Sequence, residues 1–241
     1  SITWTATLTP TADTEDAVNV VTVAASYTDT AGNAGGAGTS ANYIVETQAP
    51  SVSSVTVSDT ALKAGDTATL TIVFSEAVAA FANADVTIGS GAISTLASSD
   101  SITWTATLTP TADTEDAANT VDVAASYTDT AGNAGAAGAS ANYAVDTLAP
   151  SVTITSSESD PATGSTLAVT ITFGESTSDF VVGDITVSGG TVSLSGSGAT
   201  YTATITPSAD GTITVDVAAG VATDAAGNSN TAATQFSIVS D

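Results

Sequence analysis

The chain has 241 residues, of which 25 are acidic and one, Lys63, is basic, so its formal net charge is −24. This charge disfavours nucleic acid and anionic membrane surfaces as partners, because like charges repel. With no Cys and no His, the sequence excludes disulfides, imidazole bases and zinc sites of the usual kind. Hydrophobic residues make up 42% and charged residues 11%, and no apolar run approaches the ~20 residues of a membrane span. We therefore expect a folded chain with no segment inserted in a membrane.

Internal repetition organises this chain. Positions 1–50 and 101–150 differ at eight places, so 42 of 50 residues recur after 100 residues, which is the length of a domain. After Pro150 the same plan continues more loosely, with "TYTATITP" in place of "TWTATLTP". We predict a C-terminal half-unit at 1–50, a complete unit at 51–150 and a second, divergent complete unit at 151–241.

The first 50 residues carry the patterns of the second half of a unit. They begin with "SITWTATLTP" and continue through "TADTEDA" and "YTDTAGN" to "VETQAP". A half-unit lacks the strands that would close a core, so we expect an upstream half that is missing from the sequence.

The complete unit at 51–150 alternates apolar and polar residues with a period of two, which is typical of half-buried strands. No segment carries a sustained helical period. The residues predicted to point inward in the two complete units are Leu70, Ile72 and Phe74, then Ile102, Trp104, Ala106 and Leu108, then Val121, Val123, Ala125 and Tyr127, and then Leu167, Val169, Ile171 and Phe173.

About seven short strands in ~100 residues, separated by Gly, Asp, Asn or Pro, predict an all-β fold. We expect tandem Ig-like antiparallel β-sandwich domains arranged as an extended rod. Trp104 and its counterpart Tyr201 are the largest predicted core residues, and the alternation favours a core position over a ligand platform.

Acidic residues concentrate in "TADTEDA", which occurs at 11–17 and again at 111–117 with three carboxylates in four positions. Two carboxylates about 5 Å apart repel by roughly 3 kcal/mol at an effective dielectric near 20. Such a loop therefore needs either open water or a cation around it.

Immunoglobulin topology predicts where the acids meet, because alternate loops lie at opposite ends of a sandwich. We assign "TADTED" to a loop at the lower end of a unit, beside the exit "VDTLAP" and the upper loops of the next unit. The predicted lower junction gathers Asp113, Glu115, Asp116, Asp146, Glu175, Asp184 and Asp224. The predicted upper junction gathers Asp13, Glu15, Asp16, Glu46, Glu76, Asp85 and Asp129. Asp66 in "KAGD" is also predicted at a lower end.

Oxygen ligands in excess, without His or Cys, favour Ca²⁺, which accepts 6–8 oxygens with flexible geometry. Local turn chemistry is the competing explanation, since Asp and Asn stabilise turns and "DTAGN" places Gly132 and Asn133 where positive φ is expected. For Asp129 and Asp224 both explanations stay open. For "TADTED" the ligand interpretation is favoured, because a turn does not need three acids in four residues.

The unit "SDTALKAGDTATLTIVFSEAV", "FANADVTI", "SITWTATLTP", "YTDTAGNAG" and "NYAVDTLAP" resembles the Ig-like extender repeats of the long RTX adhesins of Gram-negative bacteria. The resemblance covers 51–150, the half-unit before it and, more weakly, 151–241. The glycine-rich calcium-binding nonapeptide of the RTX region is absent from these 241 residues. The resemblance implies a secreted protein held at the cell surface and active in biofilms. It also implies a monomeric rod whose partners are calcium ions and neighbouring repeats of the same chain.

The function that the resemblance implies is therefore a non-enzymatic extender, stiffened by Ca²⁺ at its domain junctions, that projects a distal adhesive domain. Paired carboxylates also serve glycosidases, but acids that recur at domain ends and 5% aromatic residues disfavour catalysis. The alternative is an Ig-like binding module that contacts a polysaccharide or another surface through Thr-rich strand faces, although Thr is an ordinary choice for exposed strand positions.

Overall fold

A computed structural model describes residues 2–241. Regular structure in these residues is β-strand, apart from two short 3-10 helices at Asn83–Asp85 and Val182–Asp184. Neither of these helices is long and apolar enough to cross a lipid bilayer. The prediction of an all-β fold is therefore confirmed. Its physical reason is that β-branched residues alternating with Thr and Ser suit a pleated surface with one buried face.

The half-unit contains four strands, β1 (Glu15–Asn19), β2 (Thr22–Val23), β3 (Gly38–Thr39) and β4 (Tyr43–Glu46). β1 pairs with β4 and β2 pairs with β3, both antiparallel. Residues 2–10 form no strand. The apolar side chains of this half-unit are largely exposed.

The unit at 51–150 contains β5 (Val52–Val57), β6 (Ala61–Lys63), β7 (Ala68–Phe74), β8 (Val78–Ala79), β9 (Val86–Ile88), β10 (Gly91–Ile93), β11 (Ala97–Ser98), β12 (Thr103–Pro110), β13 (Glu115–Asn119), β14 (Val121–Val123), β15 (Thr128–Asp129), β16 (Gly138–Ala139) and β17 (Tyr143–Asp146). One sheet has the order β10-β12-β7-β5, with β11 also on β12. The facing layer comprises β13-β17-β6, β16-β14-β9 and the β15–β8 pair. The pairs are antiparallel except β6 with β17, which run parallel.

The unit at 151–241 contains β18 (Val152–Thr155), β19 (Leu167–Thr177), β20 (Ile185–Ser188), β21 (Gly190–Pro207), β22 (Gly211–Val217) and β23 (Phe236–Ser240). Its sheets have the orders β18-β19-β21 and β20-β22-β23. Each complete unit therefore has two packed layers, with its own buried apolar cluster between them.

Most residues predicted to point inward are buried, among them Leu70, Ile72 and Tyr201. Trp104 is half-buried and packs edge-on against Phe81, with ring centroids 5.3 Å apart. Ala125 is exposed, and its predicted inward position is wrong because β14 ends at Val123, before the alternation reaches it.

The assignment of all of "TADTED" to a loop is also wrong. Only the first part is a turn, in which Asp13 and Asp113 have a φ of 52°. β1 and β13 begin at Glu15 and Glu115, because the backbone of this segment finds partners in the strands that end at Glu46 and Asp146.

Candidate functional site

Three carboxylates meet where the unit at 51–150 joins the next one. Asp146 ends β17, Glu175 lies in β19, and Asp224 lies in the loop between β22 and β23. One carboxylate oxygen from each lies within 4.8 Å of the other two. We refer to Asp146, Glu175 and Asp224 as the lower trio.

A second group of three carboxylates lies one unit earlier. Glu46 ends β4, Glu76 follows β7, and Asp129 lies in β15. Their carboxylate oxygens also lie within 4.8 Å of one another. We refer to Glu46, Glu76 and Asp129 as the upper trio. Each trio takes one acid from the linker and two from the unit that follows.

Each short linker is held against the following unit by backbone hydrogen bonds, and this brings the acids of a trio together. Thr231 N donates to Pro150 O at 3.0 Å, and Gly174 N donates to Ser151 O at 2.8 Å. In the earlier linker, Ala136 N donates to Pro50 O at 3.2 Å. Asp146 and Glu46 therefore end their strands close to the loops of the next unit.

In each trio, the glutamate supplied by the following unit has a raised pKa, because burial and the neighbouring carboxylates both disfavour its charge. Burial raises the pKa of Glu175 above 4.5, and the charges of Asp146, Asp224 and Glu115 raise it further. Burial likewise raises the pKa of Glu76, with the charges of Asp129, Glu46 and Glu15 adding to the shift. A bound cation would oppose both shifts, because it favours the ionised carboxylate.

Asp129 combines turn chemistry with a place in the upper trio. Its Oδ1 accepts hydrogen bonds from Gly132 N and Asn133 N at 2.7 and 2.9 Å, and its Oδ2 accepts one from Asn133 Nδ2 at 2.7 Å. Burial acts to raise the pKa of Asp129, but these donors outweigh it and the pKa is lowered. The two explanations left open by the sequence are therefore compatible in geometry.

Asn228 links three segments at the lower trio, a role that no sequence pattern indicated. Its Nδ2 donates to Asp146 O at 2.8 Å, to Asp146 Oδ1 at 3.2 Å and to Asp224 Oδ2 at 3.0 Å. Its Oδ1 accepts from Ala64 N of the preceding unit at 2.9 Å. This amide is buried and ties the turn after β6, the linker and the loop after β22 to one another.

Asn133 makes a reduced form of the same contact at the upper trio, with Nδ2 donating to Glu46 O at 3.4 Å. We expected positive φ at both Gly132 and Asn133. Gly132 has a φ of 97°, but Asn133 is not among the described residues with positive φ. Asn133 contributes to this loop through its side-chain amide, which reaches the linker.

The other predicted ligands lie outside the two trios. Glu115 pairs with Asp146 across β13 and β17, and its charge helps to raise the pKa of Glu175. Glu15 pairs with Glu46 in the same way, and its charge helps to raise the pKa of Glu76. Asp16 Oδ1 and Asp116 Oδ1 accept from backbone N–H groups two residues on, and Asp116 Oδ2 accepts from Ser90 Oγ at 2.9 Å.

Local structure accounts for the remaining five acids. Asp85 and Asp184 cap the 3-10 helices, where they accept from Ala82 N and Val181 N at 2.8 Å. Asp66 accepts from Lys63 N at 3.1 Å and lines one groove together with Asp113, so these two do share an end of the unit. Asp13 occupies the turn before β1.

Each trio offers three hard oxygen donors. Carboxylate and carbonyl oxygens suit Ca²⁺, Mg²⁺ or Mn²⁺ and give no advantage to soft metals. The residues present therefore fit a hard divalent cation.

A protein-family profile described as a bacterial Ig-like domain matches the chain three times, at residues 1–45, 46–145 and 146–239. Among solved structures, the Yersinia pseudotuberculosis adhesin InvE is similar at 13% identity with a TM-score of 0.32, over 78% of this chain and 58% of that one. Two tandem Ig domains of titin are similar at 14% identity with a TM-score of 0.27, over 80% of this chain and 95% of that one.

The chain thus spans 58% of the length of the InvE chain that it matches. At TM-scores this low, neither structural likeness carries an argument about function. Comparison with curated proteins returns no match. The three family matches cover almost the whole sequence, and the chain therefore belongs to the bacterial Ig-like domain family.

Proposed function

We propose that this chain is an extender segment of a secreted bacterial surface adhesin of the RTX type. In this role the tandem Ig-like units are spacers, and Ca²⁺ bound at their junctions fixes the angle between neighbours. The segment would then hold a distal adhesive domain away from the cell surface.

The observation that carries this proposal is the recurrence of one acidic trio at two successive junctions. The lower trio reproduces the upper one in position, with a carboxylate at each of the three places, although the unit at 151–241 differs widely in sequence from the unit at 51–150. Acids needed only for solubility have no reason to meet within 4.8 Å at each junction, where they repel one another. A cation shared by the three acids would offset this repulsion and so account for their proximity.

In each trio the linker acid belongs to one unit and the other two acids to the next. A cation bound by all three would therefore join two units, and its removal would leave mutual repulsion at the same place. Ca²⁺ is the favoured ion because extracellular modules bind it at 10⁻⁴–10⁻³ M, whereas Mg²⁺ demands a strict octahedron and keeps its waters.

Thermal unfolding in a calcium titration tests this proposal. A ligand at 100 times its Kd that binds only the native state adds about 2.7 kcal/mol per site. Millimolar Ca²⁺ should therefore raise the Tm by several degrees or more, and Mg²⁺ at equal concentration should raise it less. A Tm that stays the same from excess chelator to about 10 mM Ca²⁺, roughly ten times the weakest Kd of this affinity class, would refute calcium binding at the junctions.

A binding module is the second candidate, favoured by registered rows of Thr on the outer sheets. Thr56, Thr71 and Thr105 lie side by side across β5, β7 and β12. An equivalent row crosses the sheet of the last unit, with members Thr153, Thr172 and Thr200. Retention of the chain on an insoluble polysaccharide, lost when Thr71 and Thr105 are replaced by Glu, would favour this candidate over the spacer.

A further inference from the structure

The one basic residue of the sequence, Lys63, lies at the lower junction. It ends β6, where it pairs with Asp146 of the lower trio in the parallel ladder of β6 and β17. Lys63 is half-buried, and its side chain lies beside Gly227 of the following unit, where an added Cβ atom would be 3.6 Å from Lys63 Cδ. The following unit therefore covers part of this side chain.

The peptide bond after Lys63 is held from both sides of the junction. Ala64 N donates to Oδ1 of the buried Asn228, in the following unit, at 2.9 Å. Lys63 O accepts from Asp66 N at 3.1 Å, and Lys63 N donates to Asp66 Oδ2 at 3.1 Å. The nitrogen of the Lys63–Ala64 bond is thus fixed by the next unit, and its carbonyl oxygen is held by the turn of its own unit.

The segment around this bond otherwise suits a protease. β6 lies at the end of the strand order β13-β17-β6, and the two residues that follow it, Ala64 and Gly65, are small and exposed. Gly65 has a φ of 86°, as a turn requires. Exposed turns with small residues are preferred sites of proteolytic cleavage. Trypsin-like proteases also need a basic side chain for their acidic specificity pocket, and Lys63 alone in this sequence supplies one.

We propose that the Lys63–Ala64 bond is a cleavage site for a protease that selects a basic residue, closed while the two units are joined and open when the junction separates. Hydrolysis adds one water across the bond, which leaves a carboxylate on Lys63 and an amino group on Ala64. β5 and β6 are then held to the rest of their unit only without a covalent link, through pairing with β7 and β17 and through the core. The state of the junction thus decides whether the chain can be cut.

Both contacts with the following unit oppose cleavage. The protease must withdraw the Lys63 side chain from Gly227 to seat it in the specificity pocket, and must draw the Ala64 amide away from Asn228. When opening and closing are fast relative to cleavage, the rate of cutting follows the population of the open form. Any change that weakens the junction should therefore speed the cut.

Limited digestion of the full chain with trypsin tests the proposal, with the fragments 1–63 and 64–241 identified by mass. Asn228→Ala should speed the cut at least about fivefold, because the buried amide of Ala64 loses its acceptor. Asn83→Ala is the matched control, since Asn83 Oδ1 accepts from Leu96 N at 2.9 Å within the unit that carries Lys63. This control weakens that unit without touching the junction and should leave the rate unchanged.

Two results would overturn the proposal. If Asn83→Ala speeded the cut and Asn228→Ala did not, cleavage would follow unfolding of the whole unit and not opening of the junction. Hydrogen exchange of the wild-type chain needs no variant and is informative even if Asn228→Ala fails to fold. The Ala64 amide should be protected, and exchange at the rate of an unstructured peptide would mean that the following unit does not hold this bond.

The calcium dependence of the cut rests on the proposed function. Millimolar Ca²⁺ should slow the cut and excess chelator should speed it. A chain with Lys63→Ala and Thr95→Lys corrects for any effect of calcium on trypsin, because Thr95 is exposed in the loop between β10 and β11. A cut that Asn228→Ala accelerates but calcium does not change would support the cleavage site and would count against calcium at the junction.

Discussion

Replacement of Glu175 by Gln isolates the electrostatic cost of the lower trio. The change keeps the shape of the side chain and removes two like-charge pairs, with Asp146 and with Asp224, whose oxygens lie within 4.8 Å. At that separation one pair costs about 0.9 kcal/mol at the dielectric of water and about 3.5 kcal/mol at an effective dielectric of 20. Glu175 is only half-buried, so the lower value applies, and the two pairs together cost roughly 2 kcal/mol.

In excess chelator, Glu175→Gln should therefore melt at a higher temperature than the wild-type chain. For a domain of this size, 1 kcal/mol shifts the Tm by about 4–8 °C, so the expected increase is roughly 8–16 °C for the unit at 151–241. Calcium at 100 times its Kd should then raise the wild-type Tm by about 11–22 °C and the variant's by much less, because the variant lacks one charged ligand.

Differential scanning calorimetry with and without Ca²⁺ measures both effects, and Glu158→Gln is the matched control. Glu158 is exposed in a loop of the same unit, so its replacement should change neither the melt in chelator nor the calcium increment. If Glu175→Gln melted no higher than wild type in chelator, the repulsion argument would be refuted. If it kept the full calcium increment, Glu175 would not be a ligand.

Three further predictions concern the junctions. Asp146→Asn should weaken Ca²⁺ binding in calorimetric titration by at least tenfold, about 1.4 kcal/mol. Asp122 is exposed on β14, and Asp122→Asn removes the same charge but should change Ca²⁺ affinity little, because salt screens exposed charges beyond ~8 Å. Asn228→Ala leaves Ala64 N without its acceptor and should lower the stability of the junction by about 1–3 kcal/mol, while Asn33→Ala in the exposed loop of the half-unit should not; equal Tm changes would argue against the interdomain contact. In chelator, the Tm should rise as pH falls from 7 towards 4.5, because Glu76 and Glu175 have folded-state pKa values above 4.5 and repel their neighbours less once protonated. Below pH 3.8 the Tm should fall, because Asp129 and Asp179 are protonated there and lose the hydrogen bonds that lower their pKa. A Tm that falls steadily from pH 7 would contradict this prediction.

The alternation of apolar and polar residues was sufficient to predict the cores, because a strand side chain's face is set by its position along the chain. Leu70, Ile72 and Phe74 are buried as their spacing requires. The limits of each strand were harder to predict. Glu115 lies in a strand because it pairs with Asp146, a contact 31 residues away in sequence that no local pattern reports.

The same limit applies to the site. Loop topology placed Asp146, Glu175 and Asp224 at one junction, and the structure brings these three together. Topology gives the end of the sandwich on which a residue lies but not the direction of its side chain. Asp184 therefore caps its own 3-10 helix, and Asn228, which no sequence pattern singled out, bridges two units.

Small-angle X-ray scattering with Ca²⁺ and with excess chelator tests most directly whether calcium stiffens the junctions. With Ca²⁺, the distance distribution should be longer and narrower, because one ion holds both sides of each junction at a fixed angle. In chelator the trios repel and the distribution should broaden, and Glu175→Gln should reduce the difference between the two conditions. Superimposable curves for the wild-type chain in both conditions would contradict the account.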